Sequence, residues 1–339
     1  MSDGSSRADA AIDPEVVQRI ETIAPGRVSG LRLRDGVLSL VLEVGGLEPA
    51  EREALTARIK AAGEIEPGID HVRIAMTAEK SARPLIVAVG SGKGGVGKST
   101  LAVNLAVALK RLGRKVGMVD ADIYGPSLPR LLASEDVKPG TEGTRLIPVP
   151  NAQGVPMLSM GHLAKPGQAI AWRGPMAGNA LGQLIDADWR GIDLLIVDLP
   201  PGTGDVQLTM IQKYKPVGAV IISTPQDLAL IDAARAISFF DQAKVPVIGM
   251  VENMSGYVCP HCGEVSDPFG SGGAEAEAAD MGLAFLGRVP LDIAVRSASD
   301  AGTPPAADEG IVGQPFRLIA ERVARWLDNQ QLPAGATFG

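Results

Sequence analysis

The stretch GSGKGGVGKST, residues 90–100, decides how the rest of the chain is read. It follows an apolar run, LIVAVGSG (85–92), and opens a helical pattern from about Gly97 to Leu112. Gly92, Gly97, Lys98 and Ser99 stand at the phosphate-loop spacing, in the strand–loop–helix context that the spacing requires. Glycine is needed there because the backbone must curl tightly for several N–H groups to converge on phosphate oxygens. The start of the helix adds partial positive charge. Gly92, Lys93, Gly94, Gly95, Val96, Gly97, Lys98, Ser99 and Thr100 are therefore expected to hold a nucleotide, ATP. Lys98 should reach the β- and γ-phosphates, and the Ser99 hydroxyl should ligate Mg²⁺.

Outward from this loop, apolar strand-like runs alternate with helical ones. KVGMVD (115–120), DLLIVDLP (193–200), GAVIISTP (218–225) and VPVIGMVEN (245–253) are too uniformly apolar to face water on either side. Strands of that kind belong to a mostly parallel sheet covered by helices on both faces, an α/β fold. One intervening helix shows Leu228, Ile231, Ala234, Ile237 and Ser238 at a period near 3.6, predicting that this stripe packs inward. Residues 139–160, rich in Pro and Gly, read as loop. Asp120 and Asp122, in MVDADIYGPS, fall at the carboxyl end of a strand, where such sheets bind ligands. LLIVDLPPGTGD (194–205) is an apolar strand ending in Asp198, the Walker B arrangement, with a carboxylate held near Mg²⁺. Gly202 and Gly204 let the following loop move when the γ-phosphate leaves.

A smaller unit precedes this domain. DPEVVQRIETI (13–23) predicts a helix capped by Asp13, with Val16, Val17, Ile20 and Ile23 on one face. GLRLRDGVLSLVLEV (30–44) predicts a hairpin turning at Asp35-Gly36, LEPAEREALTARIKAAG (47–63) a helix, and DHVRIAM (70–76) a strand. The result is an αββαβ α+β module over residues 1–80, joined by a polar linker to the ATPase domain over 81–339.

The composition is 45% hydrophobic and 21% charged, that of a globular protein. A net charge of −7 offers no basic field for a nucleic acid or an anionic membrane. No apolar run approaches the roughly 20 residues of a membrane span, and the polar N-terminus lacks signal-peptide order. The only two cysteines, Cys259 and Cys262 in MSGYVCPHCGEV, make no disulfide framework for this length, so a reducing cytoplasm is the expected compartment. The pair alone is compatible with a small disulfide, redox chemistry or half of a metal site. A redox pair normally opens a helix, and this one follows a strand and an NMSG loop. His261, inside the turn, is expected at the surface.

KGGVGKST, with its early Lys93, resembles the deviant Walker A box of the MinD/ParA class. That resemblance implies that Lys93 reaches across a homodimer to the partner's phosphates, that Asp122 orients the attacking water, and that Asn253 reads adenine, with VPLD (289–292) completing the base pocket. DADIYGPSLPRLL (120–132), WRGPM (172–176), DLPPGTGD, STPQDLALID (223–232) and ENMSGYVCPHCGE (252–264) resemble the Mrp/ApbC iron–sulfur cluster carrier ATPases over about residues 84–330. The family implies a [4Fe–4S] cluster bridged between Cys259 and Cys262 of two subunits, acceptor apo-proteins, and an assembly scaffold as donor. Four thiolates suit Zn²⁺ equally, so a structural zinc clamp on a switching ATPase stands as the alternative. A positioning ATPase would need a basic amphipathic tail, and FRLIAERVARWLDNQQ (316–331) mixes its charges. Its Leu318, Ile319, Val323, Trp326 and Leu327 are expected to pack on the sheet. A nitrogenase-reductase-like electron donor would carry its cluster cysteines far apart in sequence. The first module resembles a small iron–sulfur-assembly domain, yet LEVGGLEPAER (42–52) lacks the cysteine usual there, leaving a docking or structural role.

Overall fold

The computed structural model describes residues 12–45, 47, 49–77, 83–163 and 175–331. The chain forms two compact units, Met1–Arg83 and Pro84–Gly339. Residues 78–82 of the linker and 172–174 of the WRGPM stretch lie outside the described residues.

In the first unit, α1 (Pro14–Ile23) is followed by β1 (Val28–Arg34), β2 (Val37–Glu43), α2 (Pro49–Glu64) and β3 (His71–Thr77). The Asp13 carboxylate accepts from the Glu15 N–H, as the cap predicts. Asp35 and Gly36 both take positive φ, which lets a two-residue turn join antiparallel β1 and β2. β3 then pairs parallel with β2. Val16, Ile20, Leu38, Leu40, Leu42 and Ile59 close the core, while Val17, expected inside, is exposed.

The second unit begins with β4 (Leu85–Gly90), α3 (Lys98–Arg111), β5 (Val116–Asp120) and a single turn α4 (Leu128–Leu131). A small hairpin, β6 (Gly140–Glu142) and β7 (Arg145–Ile147), precedes β8 (Met157–Ser159), α5 (Pro175–Ile185) and β9 (Leu194–Asp198). There follow α6 (Asp205–Thr209), a π-helical turn at Met210–Tyr214, β10 (Gly218–Ser223) and α7 (Asp227–Gln242). The chain continues through β11 (Val247–Val258), β12 (Val265–Ser266), α8 (Gly273–Asp280), β13 (Phe285–Leu291), α9 (Ile293–Asp300) and α10 (Gln314–Gln331). The main sheet runs β12-β11-β10-β4-β9-β5-β8, with β13 also on β11; its core pairs are parallel and only β12 is antiparallel.

Period-two alternation sends Val87 and Val89 to one face, where α3 and α10 supply Leu101, Leu105, Phe316, Ile319 and Val323. Ile86 and Ala88 point to the other, against Leu181, Val206, Met210, Ala233 and Phe240. Helices therefore cover both faces, as the apolar strands predict. Ile319, Val323 and Leu327 of α10 are buried as expected, while Leu318 is exposed.

Three expectations are corrected. The 139–160 loop contains β8, which extends the sheet by pairing with β5; a strand this short leaves no period to read. β11 does not stop before NMSG but runs on through it, distorted at Met254 and Gly256, which take positive φ. The inward stripe on α7 holds only at Ile237, which is buried: Leu228 is 73% exposed and Ile231 52%, while Ala229, Ala233, Ala236 and Phe240 are buried instead. The reason is a close approach. A side chain on Gly92 would collide with the α7 backbone at Asp232–Ala233, so α7 lies near enough to the loop that its alanines must face inward.

Leu228→Gln should accordingly change unfolding free energy by less than about 0.5 kcal/mol, whereas Ala233→Leu should cost about 1–3 kcal/mol by overpacking. Urea melts of the two variants check this; a large loss in Leu228→Gln would restore the original stripe.

Candidate functional site

Parallel pairing brings the carboxyl ends of β4, β5, β9, β10 and β11 to one edge of the sheet, the edge at which α/β folds bind ligands. The phosphate loop leaves β4 there. Gly97 takes φ +86° at the N-terminus of α3, a conformation that glycine adopts freely. Ser91 Oγ donates to the Lys93 carbonyl, tightening the loop's first turn.

Lys98 is almost fully buried, and its Nζ lies 2.6 Å from Asp198 Oδ1 and 3.6 Å from Asp122 Oδ2. Asp198 Oδ2 is buried and makes no hydrogen bond. Burial pushes the Asp198 carboxyl above its usual range, although the Lys98 charge beside it and the Ser99 hydroxyl pull the other way. Asp122 sits at the rim, where its Oδ1 accepts from the Tyr124 N–H. The phosphate-loop lysine and serine and two of the three carboxylates singled out from sequence, Asp122 and Asp198, are thus brought together at one spot.

Asp120 lies next to Asp198 in register across β5 and β9. It is fully buried and accepts from the N–H groups of Asp122 and Leu128 and from Ser159 Oγ. Burial first, and the Asp198 charge second, push its pKa up to about 7. It holds the Asp122 turn and β8 in place.

Lys93 does not join this cluster. Its Nζ lies 3.3 Å from Gln226 Oε1, just before α7, at the protein surface. Asn253, at the end of the predicted strand, donates from Nδ2 to the Val96 carbonyl at 2.8 Å, and a Cβ on Gly97 would collide with that nitrogen. Half of the Asn253 amide is therefore committed to the phosphate loop itself. In VPLD, Asp292 caps α9 through the Ala294 N–H.

Further along β11, the Tyr257–Val258 end pairs with β12, and the two cysteines sit in the connecting turn. Cys259 N–H donates to the Glu264 carbonyl and Gly263 N–H to the Cys259 carbonyl, closing a compact knuckle. Cys262 is exposed, Cys259 partly so, and both are free thiols. The Cys262 and His261 N–H groups aim at the Cys259 sulfur and lower its pKa, favouring thiolate, the form that binds metals. His261 is exposed, as expected. Among the described residues no group of three or more His, Cys, Asp or Glu could hold a metal ion.

Two residues were missed by sequence reading. Glu252 is fully buried and accepts from the Gly272 and Ala274 N–H groups and from Arg288 Nε. Burial alone would raise its pKa; these donors outweigh that and lower it. It pins the start of α8 to β11 beside Asn253. Gln207 is the other, and only its spacing behind Gly204, the first-to-fourth spacing of a helix cap, marked it.

The profile of the NUBPL iron-transfer P-loop NTPases, of the ParA group, matches residues 84–324. An iron–sulfur cluster carrier protein of Deinococcus radiodurans is 45% identical over 293 residues, covering 85% of this chain and 79% of its own. A nucleotide-binding protein of Archaeoglobus fulgidus, solved in complex with ADP, is 37% identical with a TM-score of 0.59, over 68% of this chain and 91% of its own. MinD of Pyrococcus horikoshii, solved with Mg-ADP, shares the fold at 21% identity, a TM-score of 0.54, and coverage of 73% of this chain and 98% of its own. No described helix is long and apolar enough to cross a membrane.

The buried Asp120 gives a pH signature. Unfolded, it loses its proton near 3.8; folded, it keeps it to about 7. Its contribution to stability is thus full below the lower value and lost as pH rises towards the higher. In metal- and nucleotide-free protein, the urea midpoint should fall from pH 5 to pH 8, and fall less in Asp120→Asn. Equal falls in the two proteins would place the titration on other groups.

Proposed function

The chain belongs to the iron-transfer P-loop NTPases of the ParA group, and from that membership we propose that it is an ATP-driven carrier of iron–sulfur clusters. It is a nucleotide-binding P-loop ATPase. Its cargo is a [4Fe–4S] cluster held between two copies by Cys259 and Cys262 of each, received from an assembly scaffold and delivered to apo-proteins.

The observation that carries the reading is the cysteine knuckle. It offers two exposed thiols, one biased towards thiolate, with no third ligand gathered among the described residues. A four-iron cluster takes four thiolates. A two-fold dimer supplies them by placing two copies of one patch on its axis. The surface position of Lys93 supports the same dimer, because a lysine that lies outside its own chain's carboxylate cluster could reach a partner's phosphates. Leu228 and Ile231, exposed on the first turns of α7 beside Gln226, give that face apolar area to bury against a second copy.

For hydrolysis, Lys98 binds the β- and γ-phosphates once it leaves Asp198. The orphaned Asp198 Oδ2, with the Ser99 hydroxyl, is an oxygen donor set that fits Mg²⁺. When bound, Mg²⁺ neutralises charge that develops on the phosphate oxygens. Asp122, at the rim, orients the water that attacks the γ-phosphorus. Lys93 of the opposite copy adds charge as the dimer closes, linking hydrolysis to closure. Asn253 keeps Oδ1 for the adenine amino group while Nδ2 holds the loop. The first module serves docking or structure, without thiol chemistry.

Iron, acid-labile sulfide and zinc, measured after oxygen-free purification, test the cargo. About four irons and four sulfides per two chains are expected, lost in Cys259→Ser with Cys262→Ser. One zinc per two chains and no sulfide, even after reconstitution, would make the knuckle a structural clamp and overturn the carrier reading. Lys98→Ala should retain the cluster and lose nucleotide-dependent transfer to an apo-protein; normal transfer would uncouple the two activities.

A further inference from the structure

The loop after Asp198, LPPGTG, has an unusual difficulty: its two prolines contribute carbonyls but no N–H groups. Its first turn is left with carbonyls that have no N–H of the adjacent residues to pair with. One side chain supplies what is missing. Gln207, in the first turn of α6, is 2% exposed. Its Nε2 donates to the Pro200 carbonyl at 2.7 Å and the Gly202 carbonyl at 3.0 Å, with the Pro201 carbonyl at 3.3 Å. Its Oε1 accepts from the Gly204 N–H at 3.0 Å. One primary amide, with two N–H groups and one oxygen, thus serves four backbone groups of a single loop.

The outer side of that loop is stitched to the phosphate-binding strand. Leu199 N–H donates to the Val89 carbonyl and Gly202 N–H to the Ser91 carbonyl. The loop therefore lies between two fixed walls, the phosphate loop and the Gln207 amide. Behind Gln207, α6 passes into the π-helical turn at Met210–Tyr214, a wider backbone ring than an α-helix uses.

We propose that Gln207 is a positioning residue for ATP hydrolysis: its buried amide holds the backbone of residues 200–204 in the shape that closes on the terminal phosphate. The inference rests on the reading of Asp198 as the Mg²⁺-site carboxylate, because the loop it concerns begins there. The side-chain hydrogen bonds of Gln207 all go to the loop backbone. It acts through the loop, so ground-state binding, made by the phosphate loop and Lys98, is left intact. Its loss acts on the step that needs the loop in place. A misplacement of about 1 Å at such a site can cost roughly a hundredfold in rate.

Two variants of the full chain separate this role from simple packing. Gln207→Leu keeps the volume and removes all four bonds. Gln207→Glu keeps the length and the acceptor for Gly204 but sets a carboxylate against three carbonyls. Both should lower kcat for MgATP by about tenfold or more, with KM and MgADP affinity within about twofold of the native protein. Hydrogen exchange across 199–205 supplies the second readout. In the native protein the Gly204 amide, which donates to Gln207 Oε1, should be protected, and more so with a non-hydrolysable MgATP analogue than with MgADP. In Gln207→Leu, which lacks that acceptor, the nucleotide-dependent difference should vanish.

A native kcat in Gln207→Leu, a lowered melting temperature with unchanged kcat, or an unprotected Gly204 amide in the native protein would each overturn the proposal. The last needs no variant and so decides the matter should neither variant fold. Asp198→Asn is the companion measurement. If it leaves hydrolysis unchanged, the site reading itself fails; if it abolishes hydrolysis while Gln207→Leu does not, only the role of Gln207 falls.

Discussion

The second unit is organised around one buried ion pair, Lys98 Nζ against Asp198 Oδ1 at 2.6 Å. Two charges taken out of water lose hydration that their mutual attraction only partly restores, so such a pair is weak evidence for stability. Its position is better explained by what must replace it. Asp198 keeps an oxygen without a partner, and Asp122 Oδ2 lies 3.6 Å from the same lysine. The site is thus a cation shared among carboxylates. With MgATP bound, the Asp198 carboxylate would hold the metal and Lys98 the phosphates, so each buried charge would exchange one counter-ion for another.

The surroundings of the pair are rigid for reasons that can be traced to single residues. Asp120 is sacrificed to structure: held with its proton to about pH 7, it ties Asp122, Leu128 and Ser159 together without adding a second negative charge beside Asp198. Two ionised carboxylates side by side in a dry interior would repel strongly. Gly92 and Gly97 are glycines because α7 and Asn253 occupy the space their side chains would need. The loop is shaped by neighbours as much as by the phosphates it is meant to hold.

Much of this was legible in the sequence, for a definite reason. Phosphate chemistry forces particular residues to particular places, so Lys98, Ser99 and Asp198 could be placed from spacing alone, and the structure brings them to one spot. The doubly covered sheet was legible because β4, β9 and β10 are apolar without alternation. What stayed hidden was decided by distance between elements. The α7 stripe was misread because periodicity reports that a face exists, and only the approach of α7 to Gly92 decides which one. β8 was too short to carry a pattern. Gln207 was missed because its partners are backbone groups, which carry no sequence label, and Glu252 because two of its three donors are backbone N–H groups and the third, Arg288, is distant in sequence.

β11 ties these observations into one mechanical path. Glu252 anchors it to the start of α8, and Asn253 donates to the phosphate loop at Val96. The same strand, bent at Met254 and Gly256, runs to Val258 and ends where the cysteine knuckle begins. Beyond the bend the strand is held again, Tyr257 and Val258 by β12 and Tyr257 also by β13. On the carrier reading, the strand that Asn253 ties to the phosphate loop is thus the same strand that presents Cys259 and Cys262, so one continuous stretch of backbone links the two sites without passing through the rest of the sheet.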